Sequence, residues 1–239
     1  MDDFYQIGCK HGTDKTTYHG YHRFYPRFIH HLREQEGMGM IEIGIDQAKS
    51  LNLWLEYFPK AFIYGVDIGV EMQGDRFLIY KADQSDVSKL AELKGIIESN
   101  HHKVMFINDD GSHVPAHVIA TFNYFFQHVL QEGGVYAIED IETSYWKNGY
   151  LYGYNVKCGL HHKESVIEIF KHLADDVNSE YLSGHERRYQ SVLAWQIPEE
   201  VRAMVSSVTF GQNCIILTKK TAEEREYDGR PYNWPTYLV

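Results

Sequence analysis

The sequence predicts an α/β fold, a doubly wound and mostly parallel sheet with an antiparallel hairpin at its end. Three observations predict it. Short apolar runs alternate with stretches of helical periodicity from residue 38 to residue 173. Two further apolar runs, Ser206–Phe210 and Cys214–Thr218, flank Gly211-Gln212-Asn213 as a hairpin would. Each run of the alternating part is followed at its carboxyl end by a carboxylate residue, the edge where such sheets bind ligands.

The elements follow in order. Residues 23–34 read as a helix, with Phe24, Phe28 and Leu32 at four-residue spacing, ended by Gly37 and Gly39. Met38–Ile43 is a short buried strand. Ser50–Phe58 is a helix with Ser50 as N-cap and Pro59 beyond its end. Phe62–Val66 and Phe77–Tyr80 are strands. Asp86–Ser99 is a helix with Val87, Leu90, Leu93 and Ile97 on one face. Val104–Ile107 is a strand, Val114–Leu130 a helix stopped by Gly133-Gly134, Val135–Ile138 a strand and His162–Leu173 a helix.

Composition excludes other classes. The chain has 239 residues, 44% hydrophobic and 23% charged, as expected of a soluble globular protein that needs no metal or disulfide staple. Its apolar runs, such as Val104–Ile107, fall far short of the ~20 residues that span a bilayer. With 23 basic against 33 acidic residues the net charge is −10, which argues against a nucleic-acid partner. Cys9, Cys158 and Cys214 form neither a zinc-type pair nor a disulfide framework. The acidic start Met1-Asp2-Asp3-Phe4 lacks an apolar signal segment, so a reducing, cytoplasmic setting is expected. One domain over 1–239 is expected: an N-terminal segment 1–37, a core 38–220 and a tail 221–239.

The strand ends carry Glu42-Ile43-Gly44, Asp67, Asp83, Asn108-Asp109-Asp110-Gly111-Ser112-His113 and Glu139-Asp140. Crowded carboxylates repel one another unless a cation or donors intervene. Asp67 suits a bidentate bond to ribose hydroxyls, and Gly44 would let a cofactor approach the backbone. Asp110, Glu139 and Asp140 would face each other, and hard oxygen donors of this kind fit Mg²⁺ better than zinc. His113, three residues after Asp110, would serve as general base for a hydroxyl on that metal. Each piece has a plainer alternative. Asp67, Asp109 and Ser112 are also ordinary caps, Asp110-Gly111 an ordinary turn pair, and Glu139-Asp140 a solvated loop. A metal-dependent phosphoesterase would also use Asp, His and Glu. Recurrence at five successive strand ends favours a site.

At these residues the chain resembles the class I S-adenosylmethionine-dependent methyltransferases. More narrowly it resembles the Mg-dependent sugar O-methyltransferases of antibiotic biosynthesis, of mycinamicin and rhamnosyl tetracenomycin type. The matching segments are His11-Gly12-Thr13-Asp14-Lys15, Tyr18-His19-Gly20-Tyr21, Ser50-Leu51 with Trp54 and Tyr57-Phe58-Pro59, Tyr64-Gly65-Val66-Asp67-Ile68, Asp83-Gln84-Ser85-Asp86, Asp109–His113 and Ile138–Trp146. They run in order over residues 11–146. The resemblance implies a Rossmann-like methyltransferase fold and the cofactors S-adenosylmethionine and Mg²⁺. It implies Asp110, Glu139 and Asp140 as metal ligands and His113, with Asp110, as the catalytic residues. It implies Glu42, Gly44, Asp67, Asp83, Gln84 and Asp109 as cofactor contacts, and Thr13 and Lys15 in a segment that closes over the cofactor. The implied reaction is methyl transfer to a hydroxyl of a sugar or glycosylated small molecule. A catechol-type acceptor and a non-catalytic cofactor-binding subunit are the alternatives.

The chain also departs from that pattern. The usual glycines of the cofactor loop are replaced by Asp46 and Ala48, and the loop to Ser50 is short. The resemblance extends to no large N-terminal auxiliary domain of the kind some relatives carry. Residues 147–239 resemble nothing nameable. Their Tyr150, Tyr152, Tyr154, His161, His162 and the tail Tyr232–Tyr237 are expected to serve the core or a homo-oligomer contact, with sugar stacking as the alternative.

Overall fold

The computed structural model describes residues 3–151, 153–182, 184–186 and 196–227. Its strands are β1 (Met38–Ile43), β2 (Phe62–Asp67), β3 (Met72–Gly74), β4 (Phe77–Lys81), β5 (Lys103–Asp109), β6 (Val135–Glu139), β7 (Tyr150–Leu151), β8 (Tyr154–Asn155), β9 (Val205–Gly211) and β10 (Cys214–Lys219). The helices that matter for the site are α1 (Asp3–His11), α2 (Asp14–Thr17), α3 (Pro26–Ile29), α4 (Lys49–Tyr57), α5 (Val87–Ser99), α6 (Pro115–His128) and α7 (Val166–Val177).

Eight strands form one sheet in the order β3-β4-β2-β1-β5-β6-β10-β9. β4, β2, β1, β5 and β6 are mutually parallel, and β10 and β9 complete the edge antiparallel, as the terminal hairpin requires. The chain steps outward from β1 to β2 and β4, then returns to β5 on the other side of β1. The crevice above β1 and β5 is therefore the switch point where open α/β sheets receive ligands.

Strand alternation divides the core. Ile41, Ile43, Ile107, Tyr136, Ile138, Ile215 and Leu217 point to a face packed by Leu90, Leu93, Phe122 and Phe170. Met40, Phe106, Val135, Ala137 and Ile216 point to the opposite face. There the N-terminal segment docks, with Phe4, Tyr21, Tyr25 and Ile29 buried against Trp54, Tyr57 and Phe58. Each buried aromatic contributes on the order of 1.5–3 kcal/mol.

Four boundaries differ from expectation. Residues 23–34 do not form one helix. Pro26 lacks the amide hydrogen needed to continue a turn, and the segment breaks into 3₁₀ turns at Tyr21–Arg23 and His30–Leu32 on either side of α3. The buried stripe shifts accordingly to Tyr21, Tyr25, Ile29 and Leu32. Helix α4 starts at Lys49, and Ala48, not Ser50, holds the N-cap position. Helix α6 follows Val114 with neither Asp109 nor Ser112 at its N-cap position. Helix α7 is offset toward the C-terminus, with Ser165 capping Glu168 N. Strand β3 and the small β7–β8 hairpin were not anticipated. Among the described residues, no helix is long and apolar enough to cross a membrane.

Candidate active site

A cavity of about 610 Å³ opens at the carboxyl ends of β1, β2 and β4, lined among others by Thr13, Gly44, Asp67, Asp83, Gln84 and Asp110. Six expected site residues thus share one wall. Gly44 has φ +83°, and a Cβ there would lie 2.1 Å from the carbonyl oxygen of Asp110. Glycine is required by the neighbouring strand as well as by any ligand. Beyond it, Asp46 (φ 43°) and Ala48 (φ 60°) hold the left-handed conformation without being glycine. The loop keeps the shape glycines would allow, at a cost of roughly 1–2 kcal/mol per residue.

Asp67 is held by the backbone. Its Oδ2 accepts from Ile45 N (2.8 Å) and Asp46 N (3.3 Å), and its Oδ1 from Gly69 N (2.7 Å) and Val70 N (2.8 Å). Burial pushes its pKa up, but these four bonds outweigh burial and hold it below the usual aspartate value. Asp83 accepts from Ser85 N and Oγ, which likewise hold its pKa low. Gln84 accepts from Ser112 N at 2.6 Å and donates to Thr121 Oγ1 and to Asp109 Oδ1.

Asp109 does not line the cavity. Alternation along β5 turns it to the face opposite Asn108 and Asp110, where Tyr136 OH donates to it at 3.1 Å. Burial pushes its carboxyl up to about 6. It reaches the cavity wall through Gln84, which donates to it, and through the backbone of Gly111.

The same alternation gathers Glu42, Asn108, Asp110 and Glu139 on the face covered by the N-terminal segment. Thr13 accepts from Lys15 N at the start of α2, and Lys15 passes wholly buried into this acid cluster. Its Nζ lies 2.6 Å from Asp110 Oδ2, 2.7 Å from Glu139 Oε2 and 3.7 Å from Glu42 Oε1. Burial alone would lower the lysine's pKa. The charges of Asp110, Glu139 and Glu42 outweigh it and hold the ammonium well above the ordinary range. Glu42 also accepts from Trp54 Nε1 at 2.8 Å, and burial pushes its carboxyl up to about 7. Neither Lys15 nor Glu42 lines the cavity. Lys15, expected as a cofactor contact, is instead the cation of the acid cluster.

Asp110 joins the cavity to a second group. Asp110, His113 and Asp140 present one ligand atom each within 4.8 Å of one another, the one such trio among the described residues. His113 Nε2 is 3.9 Å from Asp110 Oδ1 and 3.9 Å from Asp140 Oδ2. Asp140 Oδ1 accepts from Tyr21 OH (2.7 Å) and Asn213 Nδ2 (3.0 Å). Burial first, and then the charge of Asp110, raise the Asp140 pKa. His113, Asp140 and Asn213 all have positive φ. Backbone strain of this kind gathers at functional sites. Glu139 stands outside the trio, bound to Lys15, Tyr25 OH and Asn108 Nδ2.

The sequence assigns no site role to Tyr21, Trp54, Asn108 or Asn213, which it places only in motifs and turns, and does not single out Tyr25 at all. Asn108, a fully buried amide inside an apolar strand, was a usable signal. Of the aromatic residues expected in the core or an oligomer contact, with sugar stacking as the alternative, Tyr154 reaches the cavity wall, whereas Tyr152 and the tail Tyr232–Tyr237 lie outside the described residues.

No family model matches the chain. The 8-demethyl-8-alpha-L-rhamnosyl tetracenomycin-C 2'-O-methyltransferase of Streptomyces olivaceus is 34% identical over 149 residues, 59% of this chain and 38% of that one. The mycinamicin VI 2''-O-methyltransferase of Micromonospora griseorubida is 33% identical over 155 residues, 60% of this chain and 37% of that one. The curated relatives that this chain matches at 30% to 35% identity are all named as O-methyltransferases. The chain spans 33% to 47% of their length. The MycE methyltransferase of the mycinamycin pathway, solved in complex with Mg and SAH, superposes with a TM-score of 0.78 at 24% identity, covering 98% of this chain and 58% of that one. The fold is thus the Rossmann-like methyltransferase fold that the strand order describes.

Proposed function

We propose that this chain is an O-methyltransferase that uses S-adenosylmethionine and Mg²⁺ to methylate a hydroxyl of a sugar or a sugar-containing natural product. One observation carries the reading: Asp110 belongs both to the cavity and to the trio with His113 and Asp140. A cofactor in the cavity and a cation held by Asp110 and Asp140, beside His113, would be neighbours across one residue.

The residues present fit both groups. The cavity offers the carboxylate of Asp67 beside a loop whose backbone follows a glycine path, and Asp83 and Gln84 stand on the same wall. Against four carboxyl groups, Glu42, Asp110, Glu139 and Asp140, the cluster holds one buried ammonium. A divalent cation would offset the remaining charge, and hard oxygen donors suit Mg²⁺. When bound, the cation supplies a Lewis acid that makes a weakly acidic hydroxyl easier to deprotonate. The sulfonium cofactor supplies an electrophilic methyl group.

The chain's own residues do the rest. Tyr21 and Asn213 hold Asp140 Oδ1, leaving its Oδ2 directed to the cluster. His113 Nε2, equidistant from the two aspartates, accepts the hydroxyl proton. Asp67, Asp83 and Gln84 shape the wall against which the cofactor lies, so that methyl and hydroxyl oxygen meet in line. The acceptor enters through a second hollow lined by Tyr18, His19, Tyr145, Phe210 and Asn213, of which Asn213 also touches Asp140. Exposed Tyr18, Tyr145 and Phe210 give it aromatic faces for a sugar or an apolar aglycone.

Turnover with labelled cofactor and a panel of glycosylated acceptors tests this. Methylation that needs Mg²⁺ and stops with chelator is expected. Calorimetry without cofactor binding, or activity that survives chelation, overturns it. Preference for catechols over sugars would move the acceptor to the phenolic class.

A further inference from the structure

The oxygens of the acid cluster are not equally available. Glu139 has both of its oxygens engaged by protein donors. Oε2 accepts from Lys15 Nζ at 2.7 Å, and Oε1 accepts from Tyr25 OH and from Asn108 Nδ2 at 2.9 Å. Asp110 is divided: Oδ2 accepts from Lys15 at 2.6 Å, and Oδ1 faces His113. Asp140 is divided in the same way, with Oδ1 bound to Tyr21 and Asn213 and Oδ2 facing His113. Among Asp110, Glu139 and Asp140 the open oxygens are therefore Asp110 Oδ1 and Asp140 Oδ2; Glu42 Oε2 also lacks a partner, but Glu42 is fully buried behind Lys15, whose Nζ stands 3.7 Å from its other oxygen.

Lys15 cannot easily yield. Its side chain is fully buried, its helix is anchored by the Thr13 cap, and its ammonium meets three carboxylates, Glu42 in β1, Glu139 in β6 and Asp110 just beyond β5. A cation bound to Glu139 would either displace that ammonium into an apolar interior or sit against it.

We infer that Lys15 is a tethered counter-ion that withholds Glu139 from the divalent cation, leaving Asp110 and Asp140, beside His113, as the carboxylates that hold it. The inference rests on the cation reading proposed above. It departs from a three-carboxylate ligand set, and it makes Lys15 a positioning residue that aims Asp110 Oδ1 by holding Oδ2.

The test is Mn²⁺ binding followed by electron paramagnetic resonance on the full chain. Glu139→Gln is expected to weaken Mn²⁺ binding less than about threefold, and Asp140→Asn by about tenfold or more. Lys15→Met is expected to lower the metal-free melting temperature, to bind Mn²⁺ more tightly than wild type, and to regain stability when Mn²⁺ is added. Glu139→Gln placed in the Lys15→Met background is then expected to weaken binding about tenfold, because Glu139 has become a ligand. If Glu139→Gln in the wild type loses as much affinity as Asp140→Asn, the inference is overturned. Unchanged affinity in Lys15→Met overturns it too. Should Lys15→Met fail to fold, the comparison of Glu139→Gln with Asp140→Asn decides alone. A wild type that binds no Mn²⁺ overturns the cation reading and this inference together, whereas the other negative outcomes overturn only this inference.

Discussion

Lys15 Nζ lies 2.7 Å from Glu139 Oε2, across 124 residues of chain. The contact binds the N-terminal segment to the carboxyl end of β6, in the middle of the sheet. Together with Tyr21 on Asp140 and Tyr25 on Glu139, it makes residues 13–25 part of the site wall.

The trio carries the first prediction. Asp110→Asn and Asp140→Asn each abolish most methyl transfer and weaken Mn²⁺ binding. His113→Ala lowers turnover by roughly 10²–10⁴-fold, the usual loss for a general base, with cofactor binding intact by calorimetry. A His113 variant with near-normal turnover removes it as the base.

The cofactor loop carries the second. Ala48 sits at φ 60° with no side-chain cap bond. Ala48→Gly relieves the left-handed strain but frees the unfolded chain, so a net gain of about 0.5–1 kcal/mol is expected. Urea denaturation measures it. A loss of stability would show that the Ala48 methyl packs productively.

Asp67 sets an acid limit. Its folded pKa lies below the value it has in an unfolded chain. A carboxylate lowered in this way adds stability that is fully present above the unfolded value, about 3.9, and is lost as pH falls through the lower folded value. Asp67→Asn is therefore expected to melt below wild type at pH 7. The gap should narrow below about pH 4. A pH-independent gap would assign the loss to packing. The same variant should weaken cofactor binding.

Tyr136 gives the fourth. Its hydroxyl donates to buried Asp109, which in turn holds Gln84. Tyr136→Phe leaves Asp109 Oδ2 short of a donor and should cost about 1–3 kcal/mol in chemical denaturation. KM for the cofactor should rise while kcat changes little. A change confined to kcat would place Asp109 nearer the chemistry than its buried position suggests.

Much of the site was legible because strand ends are local signals. Apolar runs closed by Asp67, Asp83 and Asp110 mark where parallel strands stop, and in this topology they stop at one edge. The helix over 23–34 was misread because its periodicity continues through Pro26, where hydrogen bonding cannot. Asp109 was misplaced because it sits beside Asp110 in sequence while alternation sends the two to opposite faces. Asp46 and Ala48 looked like a broken motif, yet their backbone keeps the left-handed path.

The sequence by itself determined the succession of strands and helices, the acids at the strand ends and the antiparallel edge, because each is written in the spacing of near neighbours. Only the tertiary structure decided which oxygen of each carboxylate is open. Lys15 on Glu139 and Tyr21 on Asp140 join residues 124 and 119 positions apart. No local periodicity encodes such pairings. They arise because the sheet gathers buried carboxylates on one face, and an interior of low polarity holds charged groups there only when donors from elsewhere in the chain meet them.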